Sequence, residues 1–238
     1  MNSIIRDFEE RYQSSKNKEN FVAAERLALL RKLDKTSRVK PSINFYSHKL
    51  KALGHAESIL EMDAYLRLEF EPTIKRYLTQ PYTFKLKINN RMTRYTPDAL
   101  VEDTHGSYFF LEIKPERKVN EQKNKEKFSQ VKSFFEDELN VPFKIITEKD
   151  IRADKLIPNL QQLYSFLNVA LNKKATTKII NALPEEITVK TLENVSCLQG
   201  QLAHYAWALI AHGYFNFNFE KMLTKSTLIS INENRLGA

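Results

Sequence analysis

Two runs of β-forming residues around a short turn constrain the fold of this chain more than any other feature. "YTPDALVE" (95–102) and "SYFFLEIK" (107–114) are rich in aromatic and β-branched residues, which is typical of strands. The turn between them is centred on His105, and the glycine after it can supply the positive φ of a three-residue loop. Symmetric pairing about His105 makes opposite residue numbers sum to 210, so this register predicts that Asp98 faces Glu112.

The same hairpin predicts a cluster of charged side chains. Side chains alternate along a strand, so Lys114 shares the face of Glu112, whereas Ile113 points to the other face. Asp98, Glu112 and Lys114 should therefore converge. Two carboxylates that face each other among apolar neighbours are destabilised unless a cation compensates them. Oxygen ligands at this density suit Mg²⁺ or Mn²⁺, and a lysine beside such a site can orient or help deprotonate an attacking water.

The remaining segments place this hairpin in an α/β domain with a mixed sheet flanked by helices. Helices are predicted where apolar residues recur at helical spacing, and strands where short β-branched or aromatic runs are bounded by turns or prolines. The predicted helices are 17–33, 56–72 and 120–139, and the additional strands are 81–88 and 142–147.

The chain changes character after residue 165. Short helices follow, Gly213 stands where the C-cap of an apolar helix is expected, and "YFNFNFE" then alternates as a strand does. Helices that end in a small β wing are the pattern of a winged-helix module. The sequence therefore predicts two domains, 1–165 with an N-terminal helical extension and 166–238 with a winged-helix-like fold.

The formal net charge of +8 favours a polyanionic partner. Residues 1–165 hold 30 Lys and Arg against 24 Asp and Glu, and residues 166–238 hold 7 against 5, so most of the surplus lies in the first part. It is densest at 75–94 and 114–132, on both sides of the hairpin motif. The charge alone is equally compatible with nucleic-acid binding and with an ordinary solvated basic surface.

Other features narrow the compartment and the kinds of site. Cys197 is the only cysteine, which excludes an internal disulfide, and no Cys/His cluster has the spacing of a zinc site. The charged N-terminus is unlike a secretion signal, and no apolar run approaches the roughly 18 residues of a membrane span. We therefore expect a soluble protein of a reducing, intracellular compartment, the cytoplasm.

Two predicted helices offer further candidate residues. Glu57 and Glu61 lie four apart on the helix at 56–72, so both can occupy one face, and either can reach the cation. The alternative is that they are solvent-facing acids. On the later helix Gln130 and Lys132 can line the site, although a solvated helix face is the favoured interpretation. Candidate contacts to a DNA backbone are Lys123, Lys125 and Lys127.

The hairpin resembles the PD-(D/E)xK nuclease motif, here Pro97-Asp98, thirteen residues, and Glu112-Ile113-Lys114. A longer series of stretches resembles TnsA, the endonuclease subunit of heteromeric transposases of the Tn-seven type. This resemblance covers roughly residues 35–155. Its stretches are "FYSHKLKALGHAESILEMDAYLRLEFEPTIKRYLTQPYTFKL", "YTPDALVE", "FLEIKP" and "VPFKIITEKDI".

The resemblance implies a restriction-endonuclease-like fold and a set of site residues. The implied catalytic residues are Glu61, Asp98, Glu112 and Lys114, with Mg²⁺ held by Glu61, Asp98, Glu112 and the main-chain carbonyl of Ile113. Glu61 is selected over the other acid of its helix because the family's catalytic acid lies eight residues before the first Glu of "LEFEP". Some members have Gln at the position of Glu112, which implies that the place of this residue matters more than its charge.

The resemblance also implies a role in transposition. Such a subunit cuts the non-transferred strand at the 5′ ends of the element, while a DDE-type transposase (TnsB-like) cuts and joins the 3′ ends. Its C-terminal winged-helix-like domain is associated with an AAA+ ATPase regulator (TnsC-like). Two alternatives remain at this point, a non-catalytic DNA-binding scaffold of a transposition complex and a stand-alone restriction or repair endonuclease.

Overall fold

The computed structural model describes residues 43–236, so the helix predicted over 17–33 lies outside the described residues. The chain divides into two compact units, one ending at Ile151 and one beginning at Arg152. The sequence interpretation set the boundary after residue 165. None of the helices within 43–236 combines the length and the apolar character that a membrane span requires.

Strands and helices are interleaved along the first unit. In chain order its elements are β1 (Ile43–Ser47), β2 (Ala52–Ala56), α1 (Ile59–Phe70), β3 (Ile74–Thr79), β4 (Phe84–Ile88), β5 (Arg91–Tyr95), β6 (Ala99–Asp103), β7 (Tyr108–Ile113), α2 (Glu116–Asn120), α3 (Gln122–Ser133), a π-helical turn (Phe134–Glu138), β8 (Phe143–Ile146) and α4 (Glu148–Ile151). The sequence predicted β4, β6, β7 and β8 but missed β1, β2, β3 and β5, so its element count was too low.

A four-stranded mixed sheet in the order β3-β6-β7-β8 forms the centre of the first unit. β3, β6 and β7 pair antiparallel, whereas β8 runs parallel to β7. A parallel neighbour needs a crossover connection, which α2, α3 and the π-helical turn supply. This mixed sheet with flanking helices confirms the predicted α/β class and is consistent with a restriction-endonuclease-like fold.

The β6–β7 hairpin has the register predicted from its turn. Paired residues from Ala99–Leu111 to Glu102–Tyr108 all sum to 210, with no bulge between the two strands. Gly106 has φ of +82° in the three-residue loop, a conformation that favours glycine. The pairing prediction is therefore confirmed for the length of the ladder.

A second hairpin, β4–β5, is inserted between β3 and β6. Its turn places Asn89 and Asn90 at positive φ, as the tight turns of twisted hairpins require. One face of this hairpin packs with α3 over the sheet, and Phe135 is fully buried between them. The buried residues of this core are Leu86, Ile88, Tyr95, Leu100, Phe110, Val131, Phe135, Val141 and Phe143.

The missed strands contain residues that hide their β pattern. In β3, Arg76 is buried because it pairs with Glu102 on the neighbouring strand, so a charged residue occupies an inward position. In β2, Gly54 lies opposite Phe45, whose ring covers it so closely that any Cβ would overlap the ring. Tertiary contacts stabilise both strands against an unfavourable local sequence.

The second unit combines short helices with a small antiparallel sheet. Helices precede and follow a short strand, and a hairpin completes a three-stranded sheet in the order β10-β11-β9. The elements are α5 (Leu156–Tyr164), a 3₁₀ turn (Ser165–Asn168), α6 (Lys173–Asn181), β9 (Ile187–Thr188), α7 (Val189–Leu198), α8 (His204–Ala211), β10 (Phe215–Phe217), β11 (Leu228–Ile231) and α9 (Glu233–Leu236).

Side-chain and main-chain contacts fix the β10–β11 hairpin of this unit. Gly213, at φ of +78°, ends α8 as predicted, and the following Tyr214 N–H donates to the carbonyl of Leu209 at 2.9 Å. Asn159 is completely buried, and its carboxamide oxygen accepts from the N–H of Leu223 at 2.8 Å. The loop between β10 and β11 is therefore tied to α5.

Candidate active site

The predicted site residues meet at the edge of the sheet where β6 begins and β7 ends. Asp98 immediately precedes β6, and Ile113 is the last residue of β7. The Asp98 carboxylate accepts a hydrogen bond from the Ile113 N–H at 2.6 Å. This bond joins the two strands one step beyond their ladder and holds the carboxylate against the end of β7.

Lys114 carries its ammonium into this edge of the sheet. Its Nζ lies 3.1 Å from Oδ2 of Asp98 and 2.9 Å from Oε1 of Glu112. It also donates to the main-chain carbonyl of Ile113 at 3.1 Å. Two carboxylates and a carbonyl therefore enclose one positive charge. We call these three groups, from Asp98, Glu112 and Ile113, the oxygen cluster.

Burial sets the ionisation of these groups. Only 8% of Asp98 and 3% of Glu112 are exposed, and burial raises the pKa of the Asp98 carboxyl. Burial, followed by the charge of Asp98, raises the pKa of the Glu112 carboxyl to about 7. Burial alone would lower the pKa of Lys114, but the two carboxylates outweigh it and hold that pKa above its usual range. The ammonium is therefore charged near neutrality and compensates the carboxylates.

Two tyrosines that sequence reasoning missed hold the acids in place. The Tyr95 hydroxyl donates to Oε2 of Glu112 at 2.6 Å, and the Tyr65 hydroxyl donates to the Asp98 main-chain carbonyl at 2.8 Å. Tyr95 is buried on β5, a strand that was not predicted. The sequence offers only one hint of this contact, the position of Tyr95 three residues before Asp98. No local pattern links Tyr95 to Glu112, because the two are seventeen residues apart along the chain.

Glu61 lies in the first turn of α1, close enough to the site for Asp98 to influence it. Burial, and then the charge of Asp98, raises the pKa of its carboxyl. Its two oxygens accept from the Ser58 hydroxyl at 3.0 Å and the Glu57 N–H at 2.8 Å, and its own N–H donates to the Ser58 hydroxyl at 3.1 Å. These bonds form a variant of the capping box, in which the residue before the N-cap supplies the main-chain donor. Glu61 is buried, whereas Glu57 is exposed, so only one of the two candidate acids faces inward.

The candidates on α3 have other contacts. Gln130 binds the tip of the β4–β5 hairpin, since its carboxamide exchanges two hydrogen bonds of 2.8 Å with Asn89. Lys132 is exposed and lies 3.8 Å from Glu136 on the same helical surface. Lys127 lies over the Tyr95 ring, with 5.2 Å between Nζ and the ring centroid. Neither Gln130 nor Lys132 contacts the oxygen cluster.

The donor set can be compared with what a divalent cation requires. Across residues 43–236, no three His, Cys, Asp or Glu side chains lie together in a geometry that could hold a metal ion. The oxygen cluster instead combines two carboxylates with the Ile113 carbonyl, which are hard donors of the kind that Mg²⁺ prefers. It already surrounds a positive charge, so these residues fit a divalent cation in place of the ammonium.

The raised pKa of Glu112 predicts a pH-dependent effect of replacing it. In the unfolded chain this carboxyl ionises near 4.5 and in the folded protein at about 7. The folded state therefore binds more protons between these values, and the stability that the protonated carboxyl contributes is lost as pH rises through 7. We expect Glu112→Gln to leave the melting temperature nearly unchanged at pH 5 and to raise it at pH 8.

Thermal unfolding in EDTA at both pH values measures this difference. At about 1.4 kcal/mol per pKa unit, the gain at pH 8 is on the order of 3 kcal/mol. Glu138→Gln is the matched control, because Glu138 is exposed and forms no ion pair within the described residues. An equal shift at pH 5 and pH 8 would show that Glu112 is ionised in the folded protein at both.

The edge of the sheet that holds these residues lies in a region that matches a known protein family. Residues 70–148 match the family model described as TnsA-like endonuclease N terminal, and this confirms the resemblance drawn from the sequence. The matched region contains Asp98, Glu112 and Lys114, whereas Glu61 precedes it. A search of curated proteins finds no match.

Proposed function

From the match of residues 70–148 to a TnsA-like endonuclease domain, we propose that the protein is a Mg²⁺-dependent DNA endonuclease of a transposase complex. Its substrate is transposon-end DNA, and it hydrolyses the non-transferred strand at the 5′ ends of the element. This cut completes excision and so permits cut-and-paste transposition. Mn²⁺ is expected to replace Mg²⁺, because both bind hard oxygen ligands.

The oxygen cluster is the observation that carries this proposal. Its three oxygen groups surround the Lys114 ammonium at 2.9 to 3.1 Å. Separate hydrogen bonds fix both carboxylates, from the Ile113 N–H to Asp98 and from the Tyr95 hydroxyl to Glu112. A purely structural lysine bridge does not need this support, whereas a cation site benefits from ligands that are oriented in advance.

The residues divide the work of hydrolysis among them. Asp98, Glu112 and the Ile113 carbonyl would hold the cation, which activates water and neutralises charge on the phosphate when bound. Lys114, released from the carboxylates, keeps its charge and its three N–H donors beside the site. It can then donate to the attacking water or to a scissile phosphate oxygen, where negative charge develops.

Glu61 is proposed as a further ligand from the helix. Each of its carboxylate oxygens accepts one hydrogen bond in the capping box. A carboxylate has about four lone-pair positions, so both oxygens keep acceptor capacity. Glu61 can therefore bind a cation and cap α1 at the same time, and its raised pKa is expected to fall when a cation is bound.

The partners follow from the same premise. We propose that a DDE-type transposase of the TnsB kind acts on the 3′ ends at the same site. The second unit, with its winged-helix-like order of elements, is proposed to bind an AAA+ ATPase of the TnsC kind. The surplus of Lys and Arg in the first part of the chain supports transposon-end DNA as the shared substrate.

Reconstitution tests the proposed function. The full-length protein is combined with its transposase, its ATPase and end DNA that carries a different label on each strand. With Mg²⁺ we expect a cut in the non-transferred strand that requires this protein, and with EDTA we expect none. Cutting that persists in EDTA, or that falls only on the transferred strand, contradicts the proposal.

Tyr95→Phe is expected to weaken cleavage without removing a ligand. The variant loses the hydroxyl that restrains Glu112 through a 2.6 Å bond. Loss of such a supporting hydrogen bond typically costs about ten- to a hundredfold in metal affinity or activity. Cleavage measured against Mg²⁺ concentration should shift to higher concentration, whereas the control Tyr214→Phe in the second unit should match wild type. An unchanged Mg²⁺ dependence would show that Glu112 needs no such restraint.

A further inference from the structure

The β4–β5 hairpin carries three of its four positive charges on one face. Residues 80–97 contain four Lys or Arg and no Asp or Glu. Cross-strand partners share a face, and Lys85 pairs with Arg94, while Lys87 pairs with Met92. The four side chains of these two pairs are exposed. We call this surface, composed of Lys85, Lys87, Met92 and Arg94, the outer face.

No acidic side chain forms an ion pair with the outer face within the described residues. Lys85, Lys87 and Arg94 form no ion pair there, unlike Lys75 and Arg76, which both pair with Glu102. Like charges that oppose each other across two strands are destabilising. The Lys85–Arg94 pair therefore costs the folded hairpin stability unless an external anion binds.

The outer face is held rigidly by contacts on the opposite face and at the tip. Leu86 and Ile88 are buried in the core of the first unit. At the tip, Asn89 exchanges two hydrogen bonds with Gln130. At the base, Tyr95 donates to Glu112 of the oxygen cluster. The three cations thus project from a fixed surface, which lowers the entropy cost of binding a ligand.

We propose that the outer face binds the phosphate backbone of duplex DNA next to the oxygen cluster, an inference that rests on the proposed function. Residues two apart on a strand are about 7 Å apart. Successive phosphates of one DNA strand are separated by a similar distance, because the winding of the backbone adds to the axial rise of about 3.4 Å. Lys85 and Lys87 can therefore meet adjacent phosphates. Arg94, about 5 Å from Lys85 across the hairpin, adds a bidentate donor.

Chain connectivity favours DNA over an acidic protein segment. Arg94 is only four residues from Asp98, so the basic strand leads directly into the site that the proposed function assigns to a phosphodiester. Asp137 and Glu138 line a groove together with Lys87, and their charge lowers the positive potential there. Lys85 and Arg94 should therefore contribute more to binding than Lys87.

Salt-dependent binding of the full-length protein tests this surface without requiring cleavage. Fluorescence anisotropy with a labelled duplex in EDTA gives the slope of log affinity against log salt. Each lost phosphate contact lowers that slope by about one. The triple variant Lys85→Ala/Lys87→Ala/Arg94→Ala should therefore lower the slope by about two to three. Exchange of the basic residues, Lys85→Arg/Lys87→Arg/Arg94→Lys, should retain it.

A second triple variant is the control for total charge. Lys51→Ala/Lys144→Ala/Lys149→Ala removes the same charge from exposed positions of the first unit outside this hairpin. An equal loss of slope in both triple variants overturns the proposal, as does undetectable binding by the wild type at low salt. Binding of a polyglutamate peptide that depends on the outer face, with DNA binding unchanged, assigns the surface to an acidic protein and overturns the proposal too.

The binding assay separates this inference from the proposed function. A wild type that binds DNA through the outer face but does not cut in the reconstituted complex leaves the surface assignment intact and contradicts the endonuclease. If the Lys85→Ala/Lys87→Ala/Arg94→Ala variant keeps the wild-type salt slope and still cuts with Mg²⁺, the endonuclease is supported and the outer face is not a DNA-binding surface. Thermal unfolding of each variant verifies that the hairpin has kept its fold.

Discussion

Replacement of Asp98 by Asn is expected to abolish strand cleavage while the protein stays folded. The Asn side chain has the same shape and keeps an oxygen that can accept from the Ile113 N–H, so the end of β7 remains attached. It loses the negative charge that pairs with Lys114 and would hold a cation. Because burial opposes ionisation of this carboxyl, the neutral side chain should not reduce stability.

The expected loss of activity is about a hundredfold or more, since the substitution removes a direct ligand instead of a supporting hydrogen bond. The measurement is the initial rate of cutting of the non-transferred strand in the reconstituted complex. Asp137→Asn makes the same chemical change at an exposed acid and should cut like wild type. Cleavage by Asp98→Asn at the wild-type rate would remove Asp98 from the catalytic set.

Lys114→Met is expected to lower the thermal stability of the cation-free protein and to increase the stabilisation that Mg²⁺ provides. Without the ammonium, the buried carboxylates of Asp98 and Glu112 face each other with no compensating charge. Removal of one member of a buried ionic cluster costs about 3 kcal/mol or more, and about 2 kcal/mol is the better expectation here because part of Lys114 is exposed to screening solvent. At pH 8 in EDTA the variant should therefore melt below wild type.

Addition of Mg²⁺ should then stabilise Lys114→Met more than it stabilises wild type. In wild type a divalent cation must displace the ammonium from the same oxygens, whereas in the variant those oxygens carry an unpaired charge. Thermal unfolding across a Mg²⁺ titration measures the difference, with Lys173→Met, an exposed lysine of the second unit, as the control. The variant should still lose cleavage, because Lys114 is needed for the phosphate. A Mg²⁺ response no larger than that of wild type would contradict a cation site at the oxygen cluster.

The part of the site that sequence could predict is the part encoded by one hairpin. The spacing of Asp98, Glu112 and Lys114 depends on a short turn and on strand alternation, both of which are local rules, and the observed register follows them. The choice between Glu57 and Glu61 came from the family resemblance, since the helix predicted over 56–72 put both on one face. The observed α1 begins at Ile59, so Glu57 precedes the helix. The structure adds that Glu61 is buried and Glu57 exposed.

The contacts that sequence could not predict come from distant segments. Tyr95 reaches Glu112 only because β5 folds back over the sheet, and that strand has no clear alternating pattern. Arg76 occupies an inward position that is stable only because Glu102 lies opposite it. Gln130 was assigned to a solvated helix face, yet it binds the tip of a hairpin forty-one residues away along the chain. Pairings of this kind depend on the assembled fold, so a pattern within one segment cannot reveal them.

The pairing of the two carboxylates in this site depends on the number of residues between them more than on which residues form the turn. Asp98 and Glu112 stand the same number of residues from His105, one before it and one after. Substitutions within the turn preserve this count as long as position 106 tolerates a φ of +82°. Insertion or deletion of a single residue changes the parity of the hairpin and turns one acid to the opposite face of the sheet. Two chains can therefore share every letter of this motif and still differ in whether the acids meet.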